Sequence, residues 1–325
     1  MKLITVANMI ITPYLCNMQA VVIKTTGKRY TVKTADGDVL QCRLKGKFRI
    51  QGIKSTNPIV VGDKVEVVQE SELWMIVKLH ERKNHILRKS VNLSKQTHII
   101  AANIDQAILM ITMDSPVTTT GFIDRFLVAA NAYGVEVVLL FNKTDLLDEA
   151  LKVKQLALQK VYENIGYTCM STSVINDDLS EIKELMKGKI NMISGHSGVG
   201  KSTLINKLQA NLNINTKEVS DTHKQGQHTT TFSEYHDLDF GASIIDTPGI
   251  RGFGLVALES NEISNYFPEF FNIKQDCKFH NCIHKNEPNC AVKSALDQGE
   301  IAQSRYKNYL NMLEEEQEHY RTNNY

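Results

Sequence analysis

The run Gly195-His196-Ser197-Gly198-Val199-Gly200-Lys201-Ser202 narrows the possible folds of this chain more than any other stretch, because it lies between Ile190-Asn191-Met192-Ile193 and Thr203-Leu204-Ile205-Asn206. It reads as strand, glycine loop, helix. The pattern G-x-x-x-x-G-K-S lets the backbone curl with its N–H groups pointing inward at the start of a helix, which is an anion site. The backbone from Gly195 to Thr203 then cradles the phosphates of a nucleotide. Lys201 reaches the β- and γ-phosphates and assists their chemistry, and the Ser202 hydroxyl ligates Mg²⁺. A glycine-rich turn before a surface helix is the competing reading, and the apolar flanks disfavour it.

The neighbours of this loop say which nucleotide it takes. Ala107–Thr112 reads as a buried strand, 122–133 as a helix, and Val135–Phe141 as a second buried strand. Strands alternating with helices give a mostly parallel sheet with helices on both faces, and ligands sit at the carboxyl ends of such strands. There stands Asn142-Lys143-Thr144-Asp145. The Asp145 carboxylate accepts both the N1–H and the exocyclic amine of guanine, which adenine cannot supply. Asn142 contacts the other side of the base or braces the phosphate loop, and the Lys143 stem lies along the ring. After a helix at 148–164 and the short run Tyr167–Met170, Ser171-Thr172-Ser173 forms a loop under the base, a helix-capping turn, or both. Cys169 reads as a core thiol.

Downstream come Gly226-Gln227-His228-Thr229-Thr230-Thr231 and Ser243-Ile244-Ile245-Asp246-Thr247-Pro248-Gly249. Asp246 ends an apolar strand and holds Mg²⁺ through water, while the Gly249 amide senses the γ-phosphate. One threonine of 229–231, here taken as Thr230, completes the metal shell. Residues 211–227 have the composition of a switch loop ordered by the γ-phosphate. Relative to the usual order of such motifs, the parts are rotated, with the guanine-reading segment ahead of the phosphate loop. A circular permutation keeps the sheet and moves the termini. Ile250 occupies the place where many such proteins carry a water-orienting Gln. Intrinsic hydrolysis is therefore expected to be slow and partner-stimulated. His228 is the candidate to position water, its alternative being a surface loop histidine.

Ahead of this region lie five short alternating runs, Ala20–Lys24, Arg29–Lys33, Val39–Arg43, Lys64–Val68 and Trp74–Val77, separated by turn signals at Gly27, Gly37 and Gly62. Five such strands without a helical stripe predict a small closed barrel of the OB type, which binds oligonucleotides. Between Met18 and Gln96 there are 16 Lys and Arg against 7 Asp and Glu, a net of +9, whereas Leu255–Tyr325 has 7 against 11, a net of −4. Lys45, Lys47, Arg49 and Lys54 around Phe48, and Arg82, Lys83, Arg88 and Lys89 after the last strand, are the expected contacts to backbone phosphates. With a net charge of only +1 over the whole chain, this local imbalance carries the nucleic-acid argument.

The tail carries Cys277, Cys282, His284 and Cys290 as C-x4-C-x-H-x5-C. Three thiolates and one imidazole make a closed tetrahedral site suited to a structural Zn²⁺, one per chain. His280 is the competing imidazole, and His284 is preferred. The helical residues expected around the site, 261–267 and 291–318, lack core enough to fold without the metal. Six cysteines, half of them in this cluster, indicate a reducing compartment rather than a disulfide framework. The first 17 residues interrupt an apolar run with Thr5, Asn8 and Thr12 and offer no cleavage site, so they read as a disordered extension, or translation begins at Met18. No run of 18 apolar residues is present to span a membrane.

The ordered combination of NKTD, GHSGVGKST, GQHTTT, DTPGIRGFG and the cysteine-histidine tail resembles the ribosome small-subunit-dependent GTPase A family, RsgA or YjeQ, over about residues 18–325. The stretch 171–173 departs from that family's usual S-x-x-T-G. The resemblance implies a multidomain α/β chain: an extension at 1–17, an OB-like RNA-binding barrel at 18–96, a circularly permuted GTPase domain at 97–254 and a helical zinc-binding domain at 255–325. It implies a cytoplasmic, monomeric factor that binds GTP and GDP, acts late in maturation of the small ribosomal subunit through its rRNA, and leaves in the GDP form. The alternative is an RNA-binding module whose guanine nucleotide is structural and never hydrolysed. A small-molecule kinase is disfavoured by Asn142–Asp145.

Overall fold

A computed structural model describes residues 17–27, 29–45, 58–89, 97–209, 233–246 and 258–322. Outside them fall the leader, Lys47 to Lys54, His228 and Thr229–Thr231, and Gly249 to Gly254. The side chains of Arg88, Lys89 and Asp246 are likewise not described.

Five strands, β1 (Met18–Thr26), β2 (Arg29–Thr34), β3 (Val39–Leu44), β4 (Lys64–Glu70) and β5 (Leu73–Leu79), run in the order β1-β2-β3-β5-β4. Pairing of β1 with β4, Ala20 opposite Val65, closes the barrel. The expected alternation holds because one side chain in two faces inward: Ala20, Val22, Tyr30, Val32, Cys42, Val65, Val67 and Ile76 form its core with Ile59. Burial pushes the Cys42 thiol up to about 11, so it stays protonated as a small apolar filler.

The second unit follows the alternation of strand and helix. Its strands are β8 (Gln106–Ile111), β9 (Glu136–Phe141), β10 (Thr168–Ser171), β11 (Ile190–Ser194) and β13 (Ala242–Asp246), parallel in the order β10-β9-β8-β11-β13. Strand β12 (Glu234–Leu238) adds antiparallel beside β13. Along β8 successive residues point to opposite faces. Ala107, Leu109 and Ile111 pack under helices α1 (Thr120–Ala132) and α2 (Glu149–Asn164), and Ile108 and Met110 under α3 (Ser180–Met186) and α4 (Lys201–Leu208). All six residues of β8 are buried; fully burying each Leu, Ile or Met contributes roughly 1.5–3 kcal/mol, while the Gln106 amide is satisfied by Asn191, Lys189 and the Leu185 carbonyl.

A hairpin not anticipated from the sequence, β6 (His85–Lys89) with β7 (Thr97–Ala102), links barrel to sheet. Ile86 and Ala101, together with Val61 from the barrel, join the core beneath α1. Gly62 adopts φ +89, and a Cβ there would lie 2.1 Å from the Ala102 carbonyl oxygen, so only glycine lets the two backbones meet. Lys24 also pairs with Glu234 across the β1–β12 seam, making one eleven-stranded sheet. Arg82, expected to face phosphate, is turned inward instead. Its guanidinium donates to both oxygens of fully buried Asp63 at 2.6 and 2.7 Å and to the Pro58 carbonyl at 3.0 Å. A carboxylate buried on a barrel loop needs a cation, and Arg82 supplies it.

Among the described residues the third unit consists of 3-10 turns at Ile263–Tyr266 and Lys274–Asp276 and helices α5 (Pro268–Ile273), α6 (Ala291–Asp297) and α7 (Gln303–Thr322). The helical residues expected over 291–318 form two helices separated at Gly299, whose φ of +78 suits the left-handed close of α6. Phe267, Phe270 and Tyr309 make its aromatic core, and Val128 of α1 packs into it.

Candidate functional site

The carboxyl ends of β9, β10, β11 and β13 share one edge of the parallel sheet, and the nucleotide motifs follow from them. The phosphate loop leaves β11 at Ser194 and enters α4 at Lys201. Gly195 has φ +144, and a Cβ there would sit 2.7 Å from the Met110 carbonyl oxygen. At Gly200, φ +105, a Cβ would sit 2.5 Å from the Asn142 amide nitrogen. Glycine is required at both places because the loop passes directly over the ends of β8 and β9. The Lys201 ammonium folds back over the loop and donates to the carbonyls of Gly195 and His196 at 2.7 and 2.6 Å. Ser197 and Gly198 are exposed at the rim, Val199 is buried beneath, and Ser202 and Thr203 open the helix.

Of the two readings of Asn142, the geometry is that of a brace. Its buried amide donates to the Val199 carbonyl at 2.8 Å and accepts from the Val174 amide at 3.0 Å, which joins the phosphate loop, the NKTD segment and the 171–174 loop. Lys143 takes φ +65 and donates to the Ser115 carbonyl at 2.6 Å. Thr144 begins a 3-10 turn and its amide donates to the Thr172 carbonyl at 3.3 Å; Asp145 in that turn is exposed. The Asp177 carboxylate holds the neighbouring loop, accepting from the Ser173 amide at 2.6 Å and the Thr172 hydroxyl at 3.2 Å. Ser171 turns the other way, its hydroxyl accepting from Gln155 and Gln159 of α2 at 3.0 and 2.8 Å.

Two features here escaped sequence reasoning. His196 stacks on Phe122 of α1 with ring centroids 3.9 Å apart, and burial together with the Lys201 charge holds its imidazole below the ordinary value. Asp124, two residues further along α1 and so on another side of it, accepts from Arg305 at 2.7 Å, Asn308 at 2.6 Å and Tyr162 at 2.8 Å. Arg305 also donates to both oxygens of Glu269 and lies 4.4 Å over the Phe267 ring. Burial pushes the Asp124 carboxyl up against these partners, and the downward push of burial on Arg305 is outweighed by Asp124 and Glu269. An aspartate among the apolar positions of α1 was the available signal.

In the tail, the Sγ atoms of Cys277, Cys282 and Cys290 and a ring nitrogen of His284 all lie within 4.8 Å of one another. His284 Nδ1 stands 3.6 Å from Cys277 and 3.4 Å from Cys290, and those two sulfurs are 3.9 Å apart. A tetrahedron with metal–sulfur bonds of about 2.3 Å and a metal–nitrogen bond of about 2.0 Å has edges of about 3.8 and 3.5 Å, so the donor set fits a metal ion. His280 is outside the cluster. Burial pushes the Cys282 thiol up to about 12, so a bound cation is what would make that sulfur a thiolate. Tyr306 and Tyr309 of α7 donate to the carbonyls of His284 and Ile283, both at 2.7 Å, and fix the loop.

The sequence pattern described as RsgA GTPase matches residues 79–256, and the RsgA N-terminal domain matches 19–73. The chain belongs to the RsgA GTPase family. As an RsgA-family GTPase it uses a guanine nucleotide. The small ribosomal subunit biogenesis GTPase RsgA of Flavobacterium johnsoniae is 57% identical over 313 residues, covering 95% of this chain and 96% of that one. The RsgA of Bacteroides fragilis is 48% identical, covering 93% and 98%. Among solved structures, YjeQ from Thermotoga maritima superposes with a TM-score of 0.76 at 36% identity, covering 92% of this chain and 98% of that one. YloQ, described as a circularly permuted GTPase, gives 0.74 at 28%, covering 93% and 96%. The RsgA-family order of motifs thus accompanies the sheet order β10-β9-β8-β11-β13 seen here.

Proposed function

We propose that this chain is a late-stage assembly factor of the small ribosomal subunit that binds its rRNA, hydrolyses GTP when the subunit is in place, and departs with GDP. The observation that carries the reading is Asn142, which clamps the guanine-reading segment to the phosphate loop at 2.8 Å and leaves Asp145 exposed beside it. The names of the relatives supply the ribosomal context. Asp145 selects the base, with Lys143 along the ring and the loop at Thr172 beneath it, while Ser171, whose hydroxyl is held by Gln155 and Gln159, is not assigned to the base. Residues 195–203 hold the phosphates. Ser202, with Asp246 through water and Thr230, holds Mg²⁺, which would supply charge neutralisation at the phosphates. Gly249 senses the γ-phosphate, and His228 positions water. Cys277, Cys282, His284 and Cys290 hold one structural Zn²⁺. The working division is a barrel at 18–96, a permuted GTPase domain at 97–254 and a zinc module at 255–325, with the β6–β7 hairpin bridging the first two. No helix among the described residues is long and apolar enough to cross a membrane. The ribosomal role of the relatives supports a cytoplasmic place of action, and the proposed factor acts as a monomer.

The test measures turnover of GTP and xanthosine triphosphate by wild type and Asp145→Asn, with and without purified small subunits. Subunits should stimulate GTP turnover, and Asp145→Asn should lose preference for guanine, because its carboxylate contacts are gone. Absence of any stimulation would leave the alternative, an RNA-binding module with an unhydrolysed nucleotide. Single-turnover kinetics on His228→Ala should show slower hydrolysis at intact GTP affinity. An unchanged rate removes His228 from the mechanism.

A further inference from the structure

Ser173, in the loop after β10, is 3% exposed, and among the described residues its hydroxyl has no hydrogen-bond partner. A buried hydroxyl without a partner is an exception in folded chains, and at the carboxyl edge of this sheet a ligand is what completes it. The amides on either side are committed to the fold. Thr172 donates to the Phe141 carbonyl at 2.8 Å, and Val174 donates to the Asn142 side chain at 3.0 Å. Between them the Ser173 amide donates to the Asp177 carboxylate at 2.6 Å, and the Thr172 hydroxyl donates to the same oxygen at 3.2 Å. Asp177 itself is exposed, so its carboxylate can turn into water without desolvation.

The backbone of this loop is held independently of that carboxylate. Lys207 of α4 donates to the carbonyls of Ile175 and Asp177, both at 2.9 Å, and the Asp177 amide donates to the Ser173 carbonyl at 2.8 Å. The Thr144 amide, one residue before Asp145, reaches the Thr172 carbonyl at 3.3 Å and keeps the loop beside the base-reading turn. A side-chain rotation of Asp177 alone therefore frees the Ser173 amide. A buried N–H so freed needs another acceptor. Guanine brings one, because the amine and N1–H that Asp145 accepts are followed on the same edge of the base by the carbonyl oxygen O6. An ionised carboxylate can only accept, as O6 does, so the two oxygens repel each other and cannot share one donor.

We infer that the Asp177 carboxylate competes with the guanine carbonyl oxygen for the amide and hydroxyl of Ser173, and so lowers the affinity of the site for every base that carries that oxygen. The base enters by exchanging one acceptor for the other. The inference rests on the reading of Asp145 as base selector and adds a residue that sets guanine affinity by opposing it. The contrary role, a turn cap that orders the loop for the base, predicts the opposite sign.

The experiment uses the full chain and titrates ribose-labelled GDP, IDP and 2-aminopurine riboside diphosphate; hypoxanthine in IDP keeps the carbonyl oxygen and 2-aminopurine lacks it. Asp177→Ala should bind GDP and IDP about tenfold more tightly than wild type, the effect of removing a closed population held by one charge-assisted hydrogen bond. Asp177→Asn, whose neutral amide oxygen accepts more weakly, should fall between the two. The 2-aminopurine nucleotide should gain less than about twofold on Asp177→Ala, and so should GDP on Asp178→Ala, which removes the same charge from the neighbouring exposed residue, where solvent screens it. The inference is overturned if Asp177→Ala binds GDP no more tightly than wild type, which makes the contact a structural cap. It is also overturned if Asp178→Ala or the 2-aminopurine nucleotide gains as much, since charge alone then explains the effect. If Asp145→Asn keeps its preference for guanine, the reading of Asp145 falls, and the comparison of bases with and without the carbonyl oxygen still decides the role of Asp177.

Discussion

Phe122 and His196 stack with their ring centroids 3.9 Å apart, and through that contact the first turn of α1 rests on the phosphate loop. The His196 carbonyl accepts from the Lys201 ammonium at 2.6 Å. The same helix, at Asp124 and Val128, is bound to the third unit. One element therefore touches both the 195–200 glycine loop and the third unit.

Removing the ring should loosen the loop. Phe122→Ala is expected to weaken binding of a labelled guanine nucleotide about three- to tenfold, the equivalent of the roughly 0.5–1.5 kcal/mol of one ring pair. Phe122→Tyr should bind as wild type. Equilibrium fluorescence titration checks both.

The stack also predicts a pH dependence. Burial against Phe122 and the Lys201 charge hold the His196 pKa below its ordinary 6.5, so the unfolded chain binds this proton more readily than the folded one. The stabilising contribution is complete above 6.5 and is lost as pH falls through the lower folded value. The melting temperature of wild type should therefore drop more steeply than that of His196→Asn between pH 7 and 5, read by thermal denaturation across that window.

Arg305 and Arg125 both join α1 to α7, and burial separates their worth. Arg305 and Asp124 are about 1% and 0% exposed, whereas Arg125 meets Glu315 near the surface at 2.5 and 2.8 Å. Arg305→Met strands two buried carboxylates and should cost about 3–5 kcal/mol. Arg125→Ala should cost under about 1 kcal/mol. Chemical denaturation of the two variants in parallel measures the difference.

The metal cluster distinguishes two histidines four residues apart. His284→Ala should reduce bound zinc well below one per chain and expose the Phe267–Phe270–Tyr309 core, while His280→Ala should retain the metal. Atomic absorption on dialysed protein reads the content. Chelation of wild type should reproduce the His284→Ala spectrum, since metal binding and folding of so small a core are linked.

The local geometry of the candidate site was legible in the linear chain because it depends on residue type at short spacing. The pattern at 195–202 predicts strand, glycine loop and helix, and Gly195 and Gly200 take the positive φ that such a loop requires. The alternation in 20–24 and 29–33 declares barrel strands, and Cys277 to Cys290 declare a metal set that the fold gathers within 4.8 Å. Even the rotated motif order was readable, since permutation moves termini without altering any local signal.

Where polar side chains point was decided by tertiary structure alone. Asn142 had two plausible partners, and the approach of Val199 and Val174 selected bracing. Ser171 faces the glutamines of α2, and Arg82 is drawn inward by a buried carboxylate 19 residues away. Asp124 depends on Arg305, 181 positions along the chain. Sequence period tells which face of an element is apolar. The partner of a buried charge is chosen by desolvation, which acts only once distant elements have packed and water has left.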